Sequence, residues 1–459
     1  MSEKGRGAAR AKMSQAGVSQ AAIEVFLAYY DQLESGATGL IREADIAPLT
    51  DVETLDPFAV GAPPADPAAL GETVMIKLNG GLGTSMGMER AKSLLPVRGG
   101  KSFLDITAEQ VLAARRRHGV RLPLVFMNSF STREDTLAAL AAYPELQVDG
   151  LPLDFVQSKE PKLRADDLTP VEWPADPDLE WCPPGHGDLY PSLLSSGILD
   201  QLIGAGFRQA SVSNSDNLGA GPSAEIAAWF AESGAPYAAE LCERTPMDLK
   251  GGHLARRRSD GRLVLRDTAQ TSPDEMHLFT DESIHPYFNT NNLWFNLEAL
   301  RDRLRSTGGV MGLPLIRNEK TVDPRDPSST PVIQIESAMG AAIEVFEGAT
   351  ALAVPRGRFL PVKTTNELLL VRSDAYDLDD DARLRLVADP SPLVTLSGSY
   401  KKINDFDERF PHGAPSLREA RVLEVKGDWT FGRDVRVVGE VRLSDDGAPS
   451  QVPDGTVLG

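Results

Sequence analysis

The sequence predicts an α/β fold, with a mostly parallel sheet covered by helices on both faces and a smaller β domain at the C-terminus. Apolar runs typical of buried strands, such as 74–78 and 122–127, alternate with segments of helical periodicity such as 104–112. A glycine-rich turn follows the first run, where α/β sheets bind their ligands. From Leu423 onward, apolar residues recur at short steps with glycines at the turns. That pattern indicates coils of a β-helix or a compact β domain.

The N-terminal region, residues 1–70, carries no predicted chemistry. Its first residues are charged and no apolar segment of a secretory signal follows them, so we expect a disordered tail. Residues 18–33 have apolar positions at helical spacing, and Gly36 and Gly39 end the predicted helix. The prolines between there and Leu70 indicate an irregular connector that wraps the next domain.

Residues 71–395 form the predicted main domain, in which strands and helices alternate. Ser223 is a candidate N-cap for a helix over 224–232, and Gly234 is its predicted stop. Short alternation over 245–279 predicts a smaller sheet beside the main one. Further strands are predicted at 151–156, 210–213, 237–241, 333–335 and 352–354, and further helices at 193–204 and 337–346. Residues 396–459 form the predicted C-terminal β domain, with a role in assembly or stability.

Composition excludes several function classes. The 459 residues carry a net charge of -19, so attraction to nucleic acid or to an anionic membrane is not expected. With 41% hydrophobic residues and no apolar run long enough to cross a bilayer, we expect a soluble protein. Its two cysteines, Cys182 and Cys242, are too few for a disulfide framework and suit a reducing cytoplasm. A bound anion then needs local lysines, and Lys92 and Lys363 are the candidates.

The glycine loop, K-L-N-G-G-L-G-T-S-M-G-M-E-R-A-K-S over 77–93, fits neither of two well-known patterns. A dinucleotide fingerprint needs glycine at Met86, and a P-loop needs glycines at Met86 and Ala91. A glycine loop with Lys92 downstream suits a nucleoside triphosphate, because bare N–H groups cradle phosphate oxygens and an ammonium neutralises them. A tight turn with a solvated lysine is the structural alternative.

Lys363 precedes a predicted capping box. Thr364 with Glu367 three positions on opens an apolar helix, which places Lys363 at a helix N-terminus. The helix dipole disfavours a cation there and favours an anion. A phosphate between Lys363 and the helix resolves the conflict, whereas a lysine that points into solvent pays only a small cost.

Several blocks together resemble the eukaryotic-type UTP:glucose-1-phosphate uridylyltransferases, also called UDP-glucose pyrophosphorylases. The first is L-N-G-G-L-G-T-S-M-G with A-K-S-L-L-P-V. The others, in the family's order, are M-N-S-F-S-T-R-E-D-T (127–136), P-P-G-H-G-D (183–188), S-N-S-D-N-L-G-A (213–220), K-G-G (250–252), F-N-T-N-N-L-W (288–294) and R-F-L-P-V-K (358–363). The resemblance runs from about Gly71 to the C-terminus. It departs at Glu89-Arg90-Ala91, where lysine-glycine-proline is frequent.

The resemblance implies a Rossmann-like nucleotidyltransferase domain and a C-terminal left-handed β-helix. It implies catalytic roles for Lys92, Lys363 and Asp216, with Mg²⁺ on Asp216. The implied UTP-binding residues are Leu78, Asn79, Gly80, Gly81, Lys92, Gln157, Gly185, Asp216 and Lys363. The implied sugar-phosphate-binding residues are Gly80, Gly81, His186, Asn214, Ser215, Asp216 and Asn291.

Some of these residues also have an argument of their own. Mg²⁺ on a nucleotide needs only one or two protein carboxylates, so Asp216 alone suffices; an Asx-turn is its structural alternative. His186 between two glycines is well placed to reach a ligand, or is a solvated loop residue. Lys250-Gly251-Gly252, Asn289, Asn292 and Glu336 supply groups of the kind that bind sugar hydroxyls.

The expected reaction makes UDP-glucose and pyrophosphate from UTP and glucose 1-phosphate. The alternatives are a uridylyltransferase with broader or different sugar 1-phosphate specificity, and a non-catalytic nucleotide-binding scaffold. We expect no nucleic-acid or membrane partner. A homo-oligomer through the C-terminal domain is compatible with the resemblance.

Overall fold

A computed structural model describes residues 2–59, 65–148, 150–245, 248 and 251–459 of the chain. The helices are α1 Ser2–Gln15, α2 Gln20–Glu34, α3 Ala68–Gly71, α4 Phe103–His118, α5 Arg133–Leu140, α6 Leu189–Ser195, α7 Ile198–Gly204, α8 Ala224–Ser233, α9 Met276–Phe279, α10 Leu297–Ser306, α11 Thr365–Arg372 and α12 Ile403–Arg409. The strands are β1 Ile46–Pro48, β2 Glu53–Thr54, β3 Thr73–Asn79, β4 Pro96–Arg98, β5 Lys101–Ser102, β6 Leu124–Asn128, β7 Asp154–Val156, β8 Glu160–Pro161, β9 Leu163–Arg164, β10 Trp181–Cys182, β11 Gln209–Asn214, β12 Tyr237–Glu243, β13 His253–Arg257, β14 Leu263–Arg266, β15 Tyr287–Asn296, β16 Ile316–Thr321, β17 Pro331–Glu336, β18 Thr350–Ala353, β19 Tyr376–Leu378, β20 Leu384–Leu386, β21 Leu393–Leu396, β22 Ser416–Val425, β23 Trp429–Phe431, β24 Arg436–Leu443, β25 Ser450–Val452 and β26 Val457–Leu458.

An eight-stranded sheet in the order β2-β18-β12-β15-β11-β3-β6-β7 forms the centre of the molecule. Its pairs are parallel except those that β15 makes with β11 and β12. The prediction of an α/β fold with a mostly parallel sheet is therefore confirmed. β15 runs antiparallel, which makes the sheet a mixed one.

Alternate residues of the central strands enter two different cores, which is why their sequences read as continuous apolar runs. On β3, Val74 and Ile76 pack into the core that contains residues of α2, α6, α7 and α10. Met75, between them, packs on the other face with residues of α4 and α8. Helices cover both faces of the sheet. Ligands of such sheets bind at the edge formed by the carboxyl ends of the strands, where the loops after the strands lie.

The N-terminal residues are helical, so the prediction of a disordered tail was wrong. Ala9 and Met13, one helical turn apart, are 0% and 1% exposed and join the main core. Lys12 pairs with Glu180 and donates to the carbonyl of Val171 (2.7 Å). The tail's apolar stripe is narrow, and its partners lie far away in the sequence.

Two helix predictions need correction. The segment 193–204 falls in two helices, α6 and α7, separated at Gly197, whose φ of 76° ends the α-helical geometry. Residues Met339–Glu344 form a 3₁₀-helix rather than an α-helix. The predicted cap Ser223 and stop Gly234 of α8 are confirmed, since the Ser223 hydroxyl accepts from Ile226 N and Gly234 has a φ of 63°.

Smaller sheets flank the central one. β13 and β14 form a hairpin within the predicted small sheet, and β1 from the N-terminal connector adds a third strand. The predicted strand 333–335 lies in β17, which pairs with β16 and β9 outside the main sheet.

The C-terminal region contains a parallel ladder in the order β21-β22-β24-β26, beside a parallel pair β23-β25. The ladder begins at Leu393. Its core residues join a cluster that also contains Met86 of the glycine loop and Val362. The C-terminal region is therefore packed directly against the loops of the ligand-binding edge. Among the helices that the structure describes, none combines the length and apolar character needed to cross a membrane.

Candidate active site

The carboxyl ends of three neighbouring strands bring the predicted site residues to one edge of the central sheet. β3 lies between β11 and β6, with Leu78 beside Asn214 and Asn79 beside Asn128. The loops that follow these strands enclose a cavity of about 370 Å³. The predicted site residues that line it are Leu78, Gly80, Gly81, Lys92, Gln157, Gly185, His186, Asn214, Ser215 and Asp216. Met127 and Pro183 complete the wall.

Lys92 and Asp216 form an ion pair inside this cavity. The Lys92 ammonium donates to Oδ2 of Asp216 at 2.6 Å, and the two side chains are 18% and 15% exposed. The glycine loop folds back on itself to place the lysine, because Lys92 N donates to the carbonyl of Gly81 (3.1 Å). Gly83 at the turn has a φ of 66°, where glycine is favoured. Glu89-Arg90-Ala91 lies within this folded loop, directly before Lys92.

The opposite wall of the cavity is built from two close approaches of backbone. Gln157 N donates to Asn128 O (2.8 Å), and a Cβ at Gly80 would lie 2.9 Å from Gln157 Nε2. Gly185 has a φ of 78°, and a Cβ there would lie 2.7 Å from the Ser337 carbonyl oxygen. Only glycine therefore fits at Gly185, whereas at Gly80 a larger residue would displace the Gln157 amide, which lies beside the bare backbone of the glycine loop.

Asn79 differs from its neighbours because its side chain turns away from the cavity. It is 1% exposed, and Nδ2 donates to Asn128 Oδ1 (2.8 Å) and Thr136 Oγ1 (2.9 Å). A contact between Asn79 and a nucleotide can involve only its backbone in this arrangement. Its side chain instead ties β3 to β6 and α5.

His186 is held as a neutral hydrogen-bond donor. Its Nδ1 accepts from the backbone N–H of Met339 at 2.9 Å, so the ring proton belongs to Nε2. Burial lowers the pKa of His186 to about 4, so the ring carries no charge at neutral pH. With Nδ1 fixed, the imidazole offers an Nε2–H group to a ligand oxygen.

Lys363 and Asn291 are not among the residues that line the cavity. The predicted capping box is present, with Glu367 Oε2 accepting from Thr364 N and Oγ1 at 2.7 Å. The exposed Lys363 ammonium lies 5.9 Å from the centre of the Phe359 ring. Its charge also opposes the rise that burial causes in the pKa of Asp267.

Asn291 lies near the same sheet edge as Asn214. Val212 of β11 pairs with Leu293 of β15 in antiparallel register. Asn214 lies two residues after Val212 and Asn291 two residues before Leu293, so both asparagines lie on the same side of that pair. Asn291 has a φ of 61°, and its Oδ1 accepts from Asn289 Nδ2 (3.2 Å). A Cβ at Gly340 would lie 3.1 Å from Asn289 Nδ2, so Gly340 leaves space beside both amides.

The other candidate sugar ligands are only partly described. Lys250 lies outside the described residues, whereas Gly251 and Gly252 are described. Arg244 donates to Gly251 O (2.8 Å), and Gly252 packs against the side chain of Asp267. Glu336 lies beside Gly185 at the end of β17, where burial raises its pKa. Asn292 is buried and faces Glu240 rather than the cavity.

Sequence reasoning missed the buried polar residues behind the site. Glu240 and Lys77 are 1% and 0% exposed on central strands, and Arg358 is 2% exposed. A charged residue inside an apolar strand is a signal in its own right, because a buried charge must be paired. The runs Y-A-A-E-L and V-M-I-K-L therefore already pointed to internal partners.

The cavity suits a divalent cation that arrives with a nucleotide. Asp216 is the one carboxylate among the described residues that line it. Mg²⁺ bound to a nucleotide typically takes one or two carboxylates from the protein and its other ligands from phosphates and water. The residues present thus fit a nucleotide-borne Mg²⁺. A site made entirely of protein ligands would need more acidic groups.

Comparisons with known proteins show the family of this chain. A sequence model of the family described as UTP–glucose-1-phosphate uridylyltransferase matches residues 23–438. The enzyme of that name from Saccharomyces cerevisiae is 40% identical over 402 residues, which cover 86% of this chain and 78% of the yeast protein. The barley (Hordeum vulgare) enzyme is 38% identical over 445 residues, covering 94% and 91%.

Solved structures extend the similarity to the whole fold. A UDP-glucose pyrophosphorylase mutant from Leishmania major in complex with UDP-glucose superposes with a TM-score of 0.91 at 41% identity, covering 99% of this chain and 98% of the other. The family model and the relatives each match most of the chain. The chain belongs to the UTP–glucose-1-phosphate uridylyltransferase family.

Proposed function

We propose that this protein makes UDP-glucose and pyrophosphate from UTP and glucose 1-phosphate. The observation that carries the proposal is the Lys92–Asp216 pair inside a cavity walled by the bare backbone of a glycine loop. Membership of the family supplies the substrates. In an acidic protein of net charge -19, a bound anion needs a local cation, and Lys92 supplies one beside the glycine loop.

Each wall of the cavity has a proposed ligand. The backbone of Leu78, Asn79, Gly80 and Gly81 and the amide of Gln157 hold the nucleotide, with Gly185 against the uracil. His186, Asn214, Ser215 and Asn291 hold the sugar phosphate, next to Gly80 and Gly81. The amide of Gln157 both donates and accepts, which matches the edge of a uracil. The Nε2–H of His186 donates to an oxygen of the sugar phosphate.

The proposed reaction is an in-line transfer. A phosphate oxygen of glucose 1-phosphate attacks the α-phosphorus of UTP, a P–O bond forms, and the bond to the pyrophosphate oxygen breaks. No side chain becomes a nucleophile, because the attacking phosphate is already anionic. Lys92 and Lys363 would neutralise the charge that develops on the α-phosphate and the leaving group. A Mg²⁺ held by Asp216 and the phosphates would supply further charge neutralisation when bound.

Binding of UTP with its cation would engage both members of the Lys92–Asp216 pair. The Lys92 ammonium donates to one carboxylate oxygen of Asp216, at 2.6 Å. A bound triphosphate would offer this ammonium further oxygen partners, and the Asp216 carboxylate would then be available to hold the cation. The pair thus places both charged groups in the cavity with their charges matched.

The proposed domain organisation is an N-terminal region of residues 1–70, a nucleotidyltransferase domain of residues 71–395 and a left-handed β-helix of residues 396–459. Parallel pairing of β22 with β24 and of β24 with β26 is what successive coils would give. We further propose that this domain can join copies of the chain. The free, buried cysteines Cys182 and Cys242 are compatible with action in the cytoplasm.

The test is a product assay over several sugar 1-phosphates. The protein is incubated with UTP, Mg²⁺ and the 1-phosphate of glucose, galactose or N-acetylglucosamine, and products are identified by ³¹P NMR and mass spectrometry. We expect UDP-glucose and pyrophosphate in equal amounts. Equal rates with all three sugars would support the broader uridylyltransferase instead. UTP binding without any nucleotide sugar would leave only the scaffold function.

A further inference from the structure

A buried polar cluster lies directly behind the cavity and joins a segment that carries one proposed catalytic residue to a segment that leads to another. The first segment is the loop 214–221 after β11, which contains Asp216. The second is the segment 358–361, which leads to Lys363. We call these the aspartate loop and the lysine segment. The side chain of Asn217, 2% exposed, lies between them.

Asn217 uses its whole side-chain amide to hold the two segments together. Its Oδ1 accepts from Gly219 N (3.1 Å) in its own loop and from Leu360 N (2.8 Å) in the lysine segment. Its Nδ2 donates to the carbonyl of Arg358 (3.2 Å) and to Asn292 Oδ1 (3.0 Å). A backbone bridge between Asn217 and Pro361 adds a further link between the segments.

An ion pair fixes the other side of the lysine segment. Arg358 donates to both carboxylate oxygens of Glu240, through Nε (3.0 Å) and Nη2 (2.7 Å), and its Nη1 donates to Gly221 O (2.7 Å). The two side chains are 2% and 1% exposed. A bidentate pair in this geometry resists rotation and translation. The lysine segment can therefore shift only by breaking buried bonds, which is costly.

Lys77 of β3 forms hydrogen bonds near both ends of the aspartate loop. Its ammonium is fully buried and donates to Ser213 Oγ (2.7 Å) and to Ala220 O (3.0 Å). Ser213 lies just before the aspartate loop, and Ala220 lies near the end of the loop. The loop is thus held by Lys77 beneath it and by Asn217 against the lysine segment.

Neither Asn217 nor Arg358 lines the cavity, so their effect on a reaction would be exerted through other residues. Asp216 is the residue before Asn217, and Lys363 is two residues beyond the bridged Pro361. A displacement of about 1 Å in a positioned group can cost about 100-fold in rate. The hydrogen bonds of Asn217 therefore fix the spacing between the backbone that carries Asp216 and the backbone that leads to Lys363.

We propose that Asn217 is a positioning residue for uridylyl transfer, which fixes the backbone that leads to Lys363 against the loop that carries Asp216. This inference rests on the proposed function. It predicts that the contribution of Asn217 to turnover depends on Lys363. A side chain that only stabilised the fold would contribute equally with or without that lysine.

The experiment is a double-mutant cycle of Asn217→Ala and Lys363→Ala, measured as UDP-glucose formation at saturating substrates. Asn217→Ala should lower kcat about 10- to 100-fold and change the KM for UTP by less than about threefold. In the Lys363→Ala background the same substitution should lower kcat by less than about threefold. An equal loss in both backgrounds would overturn the proposal, as would full activity of Asn217→Ala.

Gln209→Ala is the matched control. Gln209 is a buried amide at the other end of β11, 5% exposed, and its Nε2 donates to Thr73 Oγ1 (3.0 Å) and Ala227 O (3.1 Å). Its loss should lower the melting temperature and leave kcat within about twofold, because neither of these partners lines the cavity. If Asn217→Ala does not fold, Asn217→Asp is used instead, because it keeps the side-chain volume and replaces the donor Nδ2 by an acceptor. The double-mutant cycle with Lys363→Ala is then measured for Asn217→Asp, with the same expected and contradicting results. An inactive wild-type protein would instead refute the proposed function.

Discussion

Replacement of Lys92 by methionine should have two opposite effects. The substitution keeps most of the apolar stem and removes the ammonium that lies 2.6 Å from Asp216. Turnover should fall, because a preorganised positive charge is lost from the proposed phosphate site. A divalent cation should bind more tightly in the absence of nucleotide, because the lysine no longer competes with it for the carboxylate.

The magnitudes follow from the geometry of the pair. Loss of one preorganised donor typically costs about 2.7–4 kcal/mol, or about 10² to 10³ in kcat. The two side chains are 18% and 15% exposed, so solvent screens their attraction only partly. A hydrogen bond to a charged group contributes about 1.5–3 kcal/mol, and removing the competitor should tighten cation binding about 10- to 100-fold.

Two assays separate these effects. Pyrophosphate release with UTP and glucose 1-phosphate reports turnover, and Mn²⁺ titration followed by electron paramagnetic resonance, without nucleotide, reports cation binding. Adding Asp216→Asn should abolish the gain in Mn²⁺ affinity. Lys101→Met is the control, because Lys101 pairs with Glu109 at 2.7 Å outside the cavity. Unchanged Mn²⁺ affinity together with turnover within about threefold of wild type would refute the reasoning.

Further substitutions test other parts of the account. Burial holds the pKa of His186 at about 4, below its usual 6.5, so its contribution to stability is present above pH 6.5 and is lost as the pH falls toward 4. His186→Gln should remove about 3 kcal/mol of that pH dependence in urea unfolding measured at several pH values, and an unchanged pH profile would contradict the assignment. Gly340→Ala places a Cβ 2.8 Å from Leu265 Cδ2 and 3.1 Å from Asn289 Nδ2, and it should raise the KM for glucose 1-phosphate about tenfold, whereas the KM for UTP should stay nearly constant. Met13→Ala, at a position 1% exposed, should lower the free energy of unfolding by about 2–3 kcal/mol in the same urea assay, and no change would mean that α1 is not docked.

Local rules predicted the elements that depend on neighbours in the sequence. The capping box of Thr364 and Glu367, the cap at Ser223 and the glycine loop after β3 are decided within a few residues. Sequence reasoning found them because hydrogen bonds and backbone conformations of this kind depend on short spacings.

Contacts between distant segments were beyond the same rules. The partner of Lys12 is 168 residues away, which is why α1 was predicted to be disordered. Asp216 lies 124 residues from Lys92, and only the family resemblance suggested that the two share a site. The hydrogen bond from Leu360 N to Asn217 Oδ1 joins residues 143 positions apart, and no pattern in the sequence predicted it. The direction of a side chain could not be predicted either. The Asn79 side chain points away from the cavity, whereas its neighbours Leu78 and Gly80 line it.

A crystal structure of this protein with Mg²⁺ and a non-reactive UTP analogue would test the central claim most directly. We expect the ammonium groups of Lys92 and Lys363 to lie within about 3 Å of phosphate oxygens, with the Asp216 carboxylate freed from Lys92 and facing the cation. A triphosphate bound elsewhere, or an ion pair between Lys92 and Asp216 that survives with the nucleotide in the cavity, would contradict the account.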